Sequence, residues 1–239
     1  MNYTIALLIM IIGGATTGYL FGSVLFAVII GKILKQHDVR KTGSNNPGFT
    51  NSKRVYGKKI SLLILFLDIF KTVIPILIFF FIYRFALFNY LNPNITNYYN
   101  PAIFIYIPGI FSIIGHIFPI FFKFKGGKGV SSYGGLCLCL SPFIAIIGII
   151  LIVVCVLKTK KMSIGSITAS LVVPFLVLIP GINYLYMMYP NIINSVHIAI
   201  NNTIIYLPIF GILLLLSTLV IYRHKENIKN IINKKELTV

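Results

Sequence analysis

Acidic residues are almost missing from this 239-residue chain, which has four Asp plus Glu against 21 Lys plus Arg. So few carboxylates exclude paired-carboxylate hydrolysis and carboxylate cages for a metal ion. Charge of either sign is scarce, at 10% of residues where soluble domains carry about 25%. With 57% hydrophobic residues and a mean hydropathy of +0.92, a soluble globular protein is excluded as well. The three cysteines, Cys137, Cys139 and Cys155, lie inside apolar segments with no His or acid at ligand spacing, so they read as small buried hydrophobes and not as a disulfide framework or a zinc site. No metal and no cofactor is expected. The first charge is Lys32, so the amino-terminal apolar run lacks the basic flank and small-residue cleavage site of a signal peptide and reads as a retained helix.

What is there is apolar and continuous. Runs such as Phe143 to Leu157 and Ile209 to Leu216 do not alternate every second residue as barrel strands do. The expectation is an all-α integral membrane protein, a single membrane domain over residues 1–239. Nineteen of the 21 cations fall in four segments: eight between 32 and 59, then Lys123, Lys125 and Lys128, then Lys158, Lys160 and Lys161, then five from Arg223 to Lys235. The stretches 84–101 and 181–202 hold one cation between them, Arg84. The positive-inside rule makes the four basic segments cytoplasmic and the neutral stretches external. The net charge of +17 is therefore mostly an orientation signal, not a nucleic-acid footprint, and its excess points to anionic lipid or substrate.

Crossings at 4–31, 60–83, 102–122, 163–180 and 203–222 satisfy this sorting. The stretch 129–157 begins and ends inside, so it crosses an even number of times, with a break at Ser141-Pro142 and two halves of about 14 residues that are short or re-entrant. The result is seven transmembrane helices, some short or broken, with the amino terminus outside and the carboxyl terminus cytoplasmic. The alternative is one long crossing there with everything after it inverted. Motif loops are expected at about 32–59, 123–130 and 158–166, followed by an interfacial tail at 223–239.

Three cytoplasmic segments hold polar groups beyond orientation. Asp38 to Arg54 combines Gly43 and Gly48 with hydroxyls, amides and cations, a composition that aims several donors at one phosphate. Gly115 to Gly129 carries Lys128 among glycines. It lacks the Gly and the Ser or Thr of a Walker A loop, where Phe122 and Gly129 stand, so no nucleotide is implied. The tail places Ile221, Ile228, Ile231 and Ile232 on one helical face, with His224 and Asn227 sharing a side. Asp68 and Lys71 are charges inside an apolar helix at a spacing that allows pairing, either a functional site or a self-satisfied clamp. His37 and His197 have no nameable partner.

At these segments the chain resembles the bacterial acyl-phosphate:glycerol-3-phosphate acyltransferases. The matching residues are Tyr19-Leu20-Phe21-Gly22-Ser23 with Phe26; Asp38-Val39-Arg40-Lys41 with Gly43-Ser44, Asn46, Gly48, Thr50-Asn51, Arg54 and Gly57-Lys58; Leu67-Asp68 with Lys71; Gly115-His116 and Phe118-Pro119 leading to Lys123-Phe124-Lys125-Gly126-Gly127-Lys128-Gly129; Ser163 to Ile167; and Arg223-His224 with Asn227-Ile228 and Glu236. The likeness runs from about residue 17 to 236. Leu25 and Ala27 depart from the Pro and second Gly usual in the family, and Asn45-Asn46-Pro47-Gly48-Phe49 departs from its Gly-Asn-Ile-Gly-Ala.

The resemblance implies a multi-pass enzyme of the bacterial plasma membrane in phospholipid biosynthesis. It would transfer an acyl group from acyl phosphate to the 1-hydroxyl of glycerol 3-phosphate, forming lysophosphatidic acid and phosphate. Ser44, Asn46, Arg54 and Lys128 would bind the phosphates, His116, His224 and Asn227 would line the same site, and Asn51, Gly127 and Ser163 would also contact substrate. Membrane lipid is the remaining partner, with no nucleic acid. No Ser-His-Asp set or thiolate site is present, so direct attack by the acceptor hydroxyl is expected. The base is a substrate phosphate, favoured, or else His116, with His224 and Asp68 behind. The rival function is a membrane transporter of phosphate esters, which calls for midplane sites in two equivalent halves.

Overall fold

The structure is a computed structural model, described here for residues 2–35, 37–91, 101–179 and 206–238. His197, the neutral patch 181–202 and residues 92–100 lie outside these residues. Among the described residues, four helical segments are long and apolar enough to cross a membrane: Tyr3–Leu34, Lys58–Leu91, Ile103–Phe122 and Pro142–Thr159. A fifth is a pair bent by 55°, Leu207–Tyr222 with Lys225–Ile232, and two shorter apolar helices are Val130–Leu140 and Met162–Leu176. The chain separates into two compact units whose boundary falls after Leu136.

The first unit holds α1 (Tyr3–Leu8), α2 (Gly14–Gly22), α3 (Phe26–Lys35), α4 (Phe49–Tyr56), α5 (Lys58–Phe81), α6 (Phe88–Leu91), α7 (Ile107–Ile117) and the start of α8 (Val130–Leu140). Its tightest packing is α2 against α7. Gly14, Gly18 and Gly22 recur every four residues, so they share one helical face, and all three are buried. A Cβ on Gly18 would strike the carbonyl of Pro108, and one on Gly22 the carbonyl of Ser112; from the other side, a Cβ on Gly115 would strike the carbonyl of Tyr19. Small residues at this spacing let two apolar helices touch backbone to backbone. Two tethers extend the contact to the end of α7, where the Tyr19 hydroxyl donates to the Phe118 carbonyl at 2.8 Å and the Ser23 hydroxyl accepts from the Ile120 N–H at 3.4 Å.

The expected crossing 60–83 runs further. After α5 a π-helical stretch, Ile82–Leu87, leads into α6, because the aromatic and aliphatic residues past Arg84 continue to bury Tyr83, Leu87 and Leu91. The Arg84 guanidinium lies 5.8 Å from the ring centre of Phe85 and 5.7 Å from that of Phe88. The helix does not run on to Lys123: α7 stops at Ile117, ahead of Pro119, and a 3-10 turn covers Ile120–Phe122.

The second unit holds the end of α8, then α9 (Pro142–Thr159), α10 (Met162–Leu176), α11 (Tyr206–Tyr222) and α12 (Lys225–Ile232). The break after α8 is at Ser141, with Pro142 opening α9, as the sequence led us to expect. The halves are unequal, 11 and 18 residues, because α9 continues through Lys158. Eleven residues span about 16 Å, half of an apolar bilayer core. The expected loop 158–166 is mostly helix: only Lys160 and Lys161 separate α9 from α10, with Lys160 in the left-handed region. Gly165 lies against the backbone of Ile152, and Phe175 packs edge-on to Phe210 with ring centres 5.4 Å apart.

Candidate active site

In the first unit, the Asp38–Arg54 segment is a folded turn held by α4. Asn51, in the first turn of α4, is 1% exposed. Its amide nitrogen donates to the carbonyls of Val39 at 3.0 Å and Thr42 at 2.9 Å, and its oxygen accepts from the Ser44 N–H at 3.0 Å. All three bonds converge on the loop just ahead of α4. Gly43, at φ +65°, lies so close to the Asn51 oxygen that a Cβ would collide with it, in a conformation that L side chains avoid. The base of the loop is pinned by the Tyr56 hydroxyl donating to the His37 carbonyl at 3.0 Å, and His37 Nε2 lies 2.6 Å from the Thr42 hydroxyl.

The rim of this loop carries Ser44, exposed, Asn46, half-buried with its amide against Gly48, and Arg54, exposed on the last turn of α4. Arg40 joins it to the glycine-lysine segment. Its guanidinium pairs with Asp38 at 2.8 Å, donates to the Lys125 carbonyl at 3.3 Å and lies 5.5 Å from the centre of the Phe122 ring. The hydrogen bonds from Arg40 hold the Asp38 carboxyl below the usual carboxylate range, against the opposing effect of partial burial.

The glycine-lysine segment closes back on α7. The Gly127 N–H donates to the His116 carbonyl at 3.0 Å, and a Cβ on Gly127 would collide with His116 Nε2. Lys128 is half-buried between Gly127 and Gly129. His116 is 2% exposed, and its Nδ1 lies 2.8 Å from the Lys71 ammonium. Lys71 also contacts the Asp68 carboxylate at 2.9 Å and the Val24 carbonyl at 2.8 Å.

The second unit has its own polar cluster. The Ser163 hydroxyl donates to the Glu236 carboxylate at 2.6 Å, and the Asn227 amide donates to Ser163 and to Glu236, each at 2.8 Å. His224, at the mouth of α12, is buried, with its Nδ1 2.8 Å from the Val220 carbonyl. That contact makes Nδ1 the donor.

A family model described as glycerol-3-phosphate acyltransferase matches residues 12–234. The chain belongs to the glycerol-3-phosphate acyltransferase family. It is 43% identical over 224 residues to the glycerol-3-phosphate acyltransferase of Ureaplasma urealyticum, covering 91% of this chain and 86% of that one. It is 39% identical to that of Mycoplasma pneumoniae, over 99% and 97% of the two chains. Among solved structures it is similar to PlsY, an integral membrane glycerol 3-phosphate acyltransferase, in its glycerol 3-phosphate form, with a TM-score of 0.72, 28% identity and 95% and 94% of the chains covered. The lysophosphatidic acid form of that protein matches at a TM-score of 0.69. The chain is thus an all-helical membrane acyltransferase, and the family implies phospholipid biosynthesis.

For an acyltransferase of this family, the structure gathers Ser44, Asn46, Asn51, Arg54, His116, Gly127 and Lys128 into the first unit, and Ser163, His224 and Asn227 into the second. Asn51, Gly127 and Ser163 carry hydrogen bonds within the protein. Every polar atom of Asn51 is engaged with loop backbone, the Gly127 N–H is engaged with His116, and the Ser163 hydroxyl donates to Glu236, so each shapes its surroundings. Sequence reasoning gave no role to Arg40, Tyr19, Tyr56 or Glu236, which tie the motifs together. The motif pattern contained all but Tyr56, but no spacing rule pairs residues up to 99 positions apart.

Proposed function

We propose that the chain transfers a fatty acyl group from acyl phosphate to the 1-hydroxyl of glycerol 3-phosphate. The hydroxyl oxygen attacks the acyl carbonyl carbon, and the bond from that carbon to the phosphate oxygen breaks. Phosphate leaves with the electron pair, and the hydroxyl proton passes to a phosphate oxygen. The products are 1-acyl-glycerol 3-phosphate and inorganic phosphate. Acyl phosphate is already an activated anhydride, so the protein need supply only orientation and charge neutralisation. The observation that carries this reading is the Arg40 bridge: by holding the Asn51-shaped loop to the Lys125 carbonyl, it joins two Gly-and-cation motifs into one cationic surface within one unit. On that surface Ser44, Asn46, Arg54 and Lys128 bind phosphate oxygens, while Asn51 and Gly127 hold the loops that carry them. His224 and Asn227 are the polar groups of the second unit assigned to substrate, with Ser163 and Glu236 fixing the Asn227 amide.

The proposed setting is the plasma membrane of a bacterium, in contact with membrane lipid and with the motif segments facing the cytoplasm. The four long spans, the bent pair and the two short apolar helices support seven crossings in a single membrane domain, amino terminus outside and carboxyl terminus inside. Purified protein in detergent, given acyl phosphate and glycerol 3-phosphate, is expected to release inorganic phosphate only when both are present. Release with either substrate alone, or none with both, overturns the reaction as written.

A further inference from the structure

The ion pair inside α5 is joined to the glycine-lysine segment. An ammonium has three hydrogens to donate and accepts nothing. Lys71, 3% exposed, has three acceptors around it: the Asp68 carboxylate at 2.9 Å, the Val24 carbonyl at 2.8 Å and His116 Nδ1 at 2.8 Å. The Val24 carbonyl and His116 Nδ1 take hydrogen bonds from the ammonium, and Asp68 pairs with it as an ion. These contacts also assign the His116 tautomer, because a nitrogen that accepts from an ammonium carries no proton, so the ring proton is on Nε2. The Asp68 oxygen that pairs with Lys71 lies 3.8 Å from Nδ1, beyond hydrogen-bond distance. Nε2 is the atom against which Gly127 is packed so closely that no side chain fits, and the His116 carbonyl accepts from the Gly127 N–H. The ring and the backbone of one residue therefore both touch the residue that precedes Lys128.

We infer that Lys71 is a positioning residue of the acyl transfer, which acts by fixing the orientation of His116 and, through it, the Gly126–Gly127–Lys128 turn. This rests on the reading that Lys128 binds substrate phosphate. His116 is then the wall that sets where Lys128 leaves the backbone, not the base: its Nδ1 lone pair is occupied by Lys71, and its Nε2 carries the proton. Asp68 holds the Lys71 ammonium in place on α5. A small displacement of a charged group at a reacting centre is costly, so a residue that never touches substrate acquires a kinetic effect.

The effect separates from a structural one by its form. Loss of folded protein lowers the apparent kcat in proportion to the active fraction and leaves KM alone, whereas a displaced Lys128 weakens phosphate binding and raises KM. Lys71→Met, His116→Ala and the double variant are to be purified in detergent and assayed with both substrates varied, the folded fraction being read by size-exclusion chromatography. The expected result for each single variant is about a ten-fold rise in KM for at least one of the two phosphate-bearing substrates, with kcat per folded molecule kept within about three-fold. The double variant is expected to be no worse than the worse single one, because Lys71 acts through His116. Lys71→Met leaves Asp68 without its ion partner, so Asp68→Asn/Lys71→Met, which removes both charges, is the companion variant and is expected to show the same raised KM. Unchanged KM values in these variants overturn the inference, as do single effects that multiply in the double variant. A fall of about 100-fold or more in kcat for folded His116→Ala at constant KM also overturns it and makes His116 the base. Wild-type protein that releases no phosphate with both substrates refutes the acyl-transfer reading itself, an outcome distinct from all of these.

Discussion

Replacing Asn51 by Ala removes both donors and the acceptor that hold residues 39–44, leaving the carbonyls of Val39 and Thr42 and the N–H of Ser44 without their partner. Each such bond contributes about 1 kcal/mol net, so the loop loses roughly 3 kcal/mol of its stability against local opening. That corresponds to about a 100-fold rise in the population of the opened loop. Hydrogen exchange followed by mass spectrometry on peptides spanning residues 39–48, in detergent and without substrate, is the direct assay. The Asn51→Asp variant sharpens it. A carboxylate still accepts from the Ser44 N–H but turns oxygen lone pairs on two carbonyls, so the near-isosteric change is expected to open the loop at least as far as Ala does. Exchange in this loop that stays at the wild-type rate in Asn51→Ala while activity collapses refutes the reasoning, because Asn51 would then act on substrate and not on the loop.

Arg54→Lys is expected to lose about ten-fold or more in kcat/KM, roughly 1.4 kcal/mol, because a lysine keeps the charge without the planar fork that grips two phosphate oxygens; near-normal kinetics would reduce Arg54 to a general positive charge. Asp38 is held below its usual value of 3.8 by Arg40. Its contribution to loop stability is therefore complete above that value and lost only as pH falls through the lowered one. Pepsin cleavage of the 37–48 loop is expected to begin at a higher pH in Arg40→Gln than in wild type, and identical pH dependence would show that the pair does not stabilise the loop. For topology, single cysteines at 97 and 190 on a background without Cys137, Cys139 and Cys155 are expected to react with an impermeant thiol reagent in intact cells, whereas those at 45 and 235 are not. Labelling at 235 from outside eliminates the seven-crossing arrangement.

The features legible in the sequence were those that chemistry places locally. Ser141-Pro142 announced the break between α8 and α9, because proline at a helix start costs nothing while proline inside one costs a hydrogen bond. Asp68 and Lys71 announced their pairing because three residues bring two side chains to one face of a helix. The length of the α5 segment was misjudged, since a single Arg84 read as the start of a loop is tolerated inside a helical run when aromatic rings flank its guanidinium. The glycines of α2 passed unnoticed as a packing stripe. Their spacing was in view, but the partner surface they fit, the backbone at Pro108 and Ser112, lies about ninety residues away and belongs to no local pattern.

The motif residues were legible as a set, yet their division of labour was not, and the few acids show why. Asp38 is committed to Arg40, Asp68 to Lys71 and Glu236 to Ser163 and Asn227, while Glu226 sits in the first turn of α12, where the helix dipole favours a negative charge. Every carboxylate in the chain thus has a structural role. Asp38, Asp68 and Glu236 each hold a polar group or a cation that a phosphate would otherwise have to organise on arrival. An acid standing unpaired among Ser44, Arg54 and Lys128 would repel the anions that those residues are proposed to bind, and it would have to be desolvated or protonated before phosphate could bind. A protein whose substrates are both anionic gains by keeping its carboxylates few and engaged in holding cations and amides in place. The composition that first excluded carboxylate chemistry is therefore also the electrostatic condition for the site: the near absence of acid is what leaves the motif loops free to concentrate positive charge.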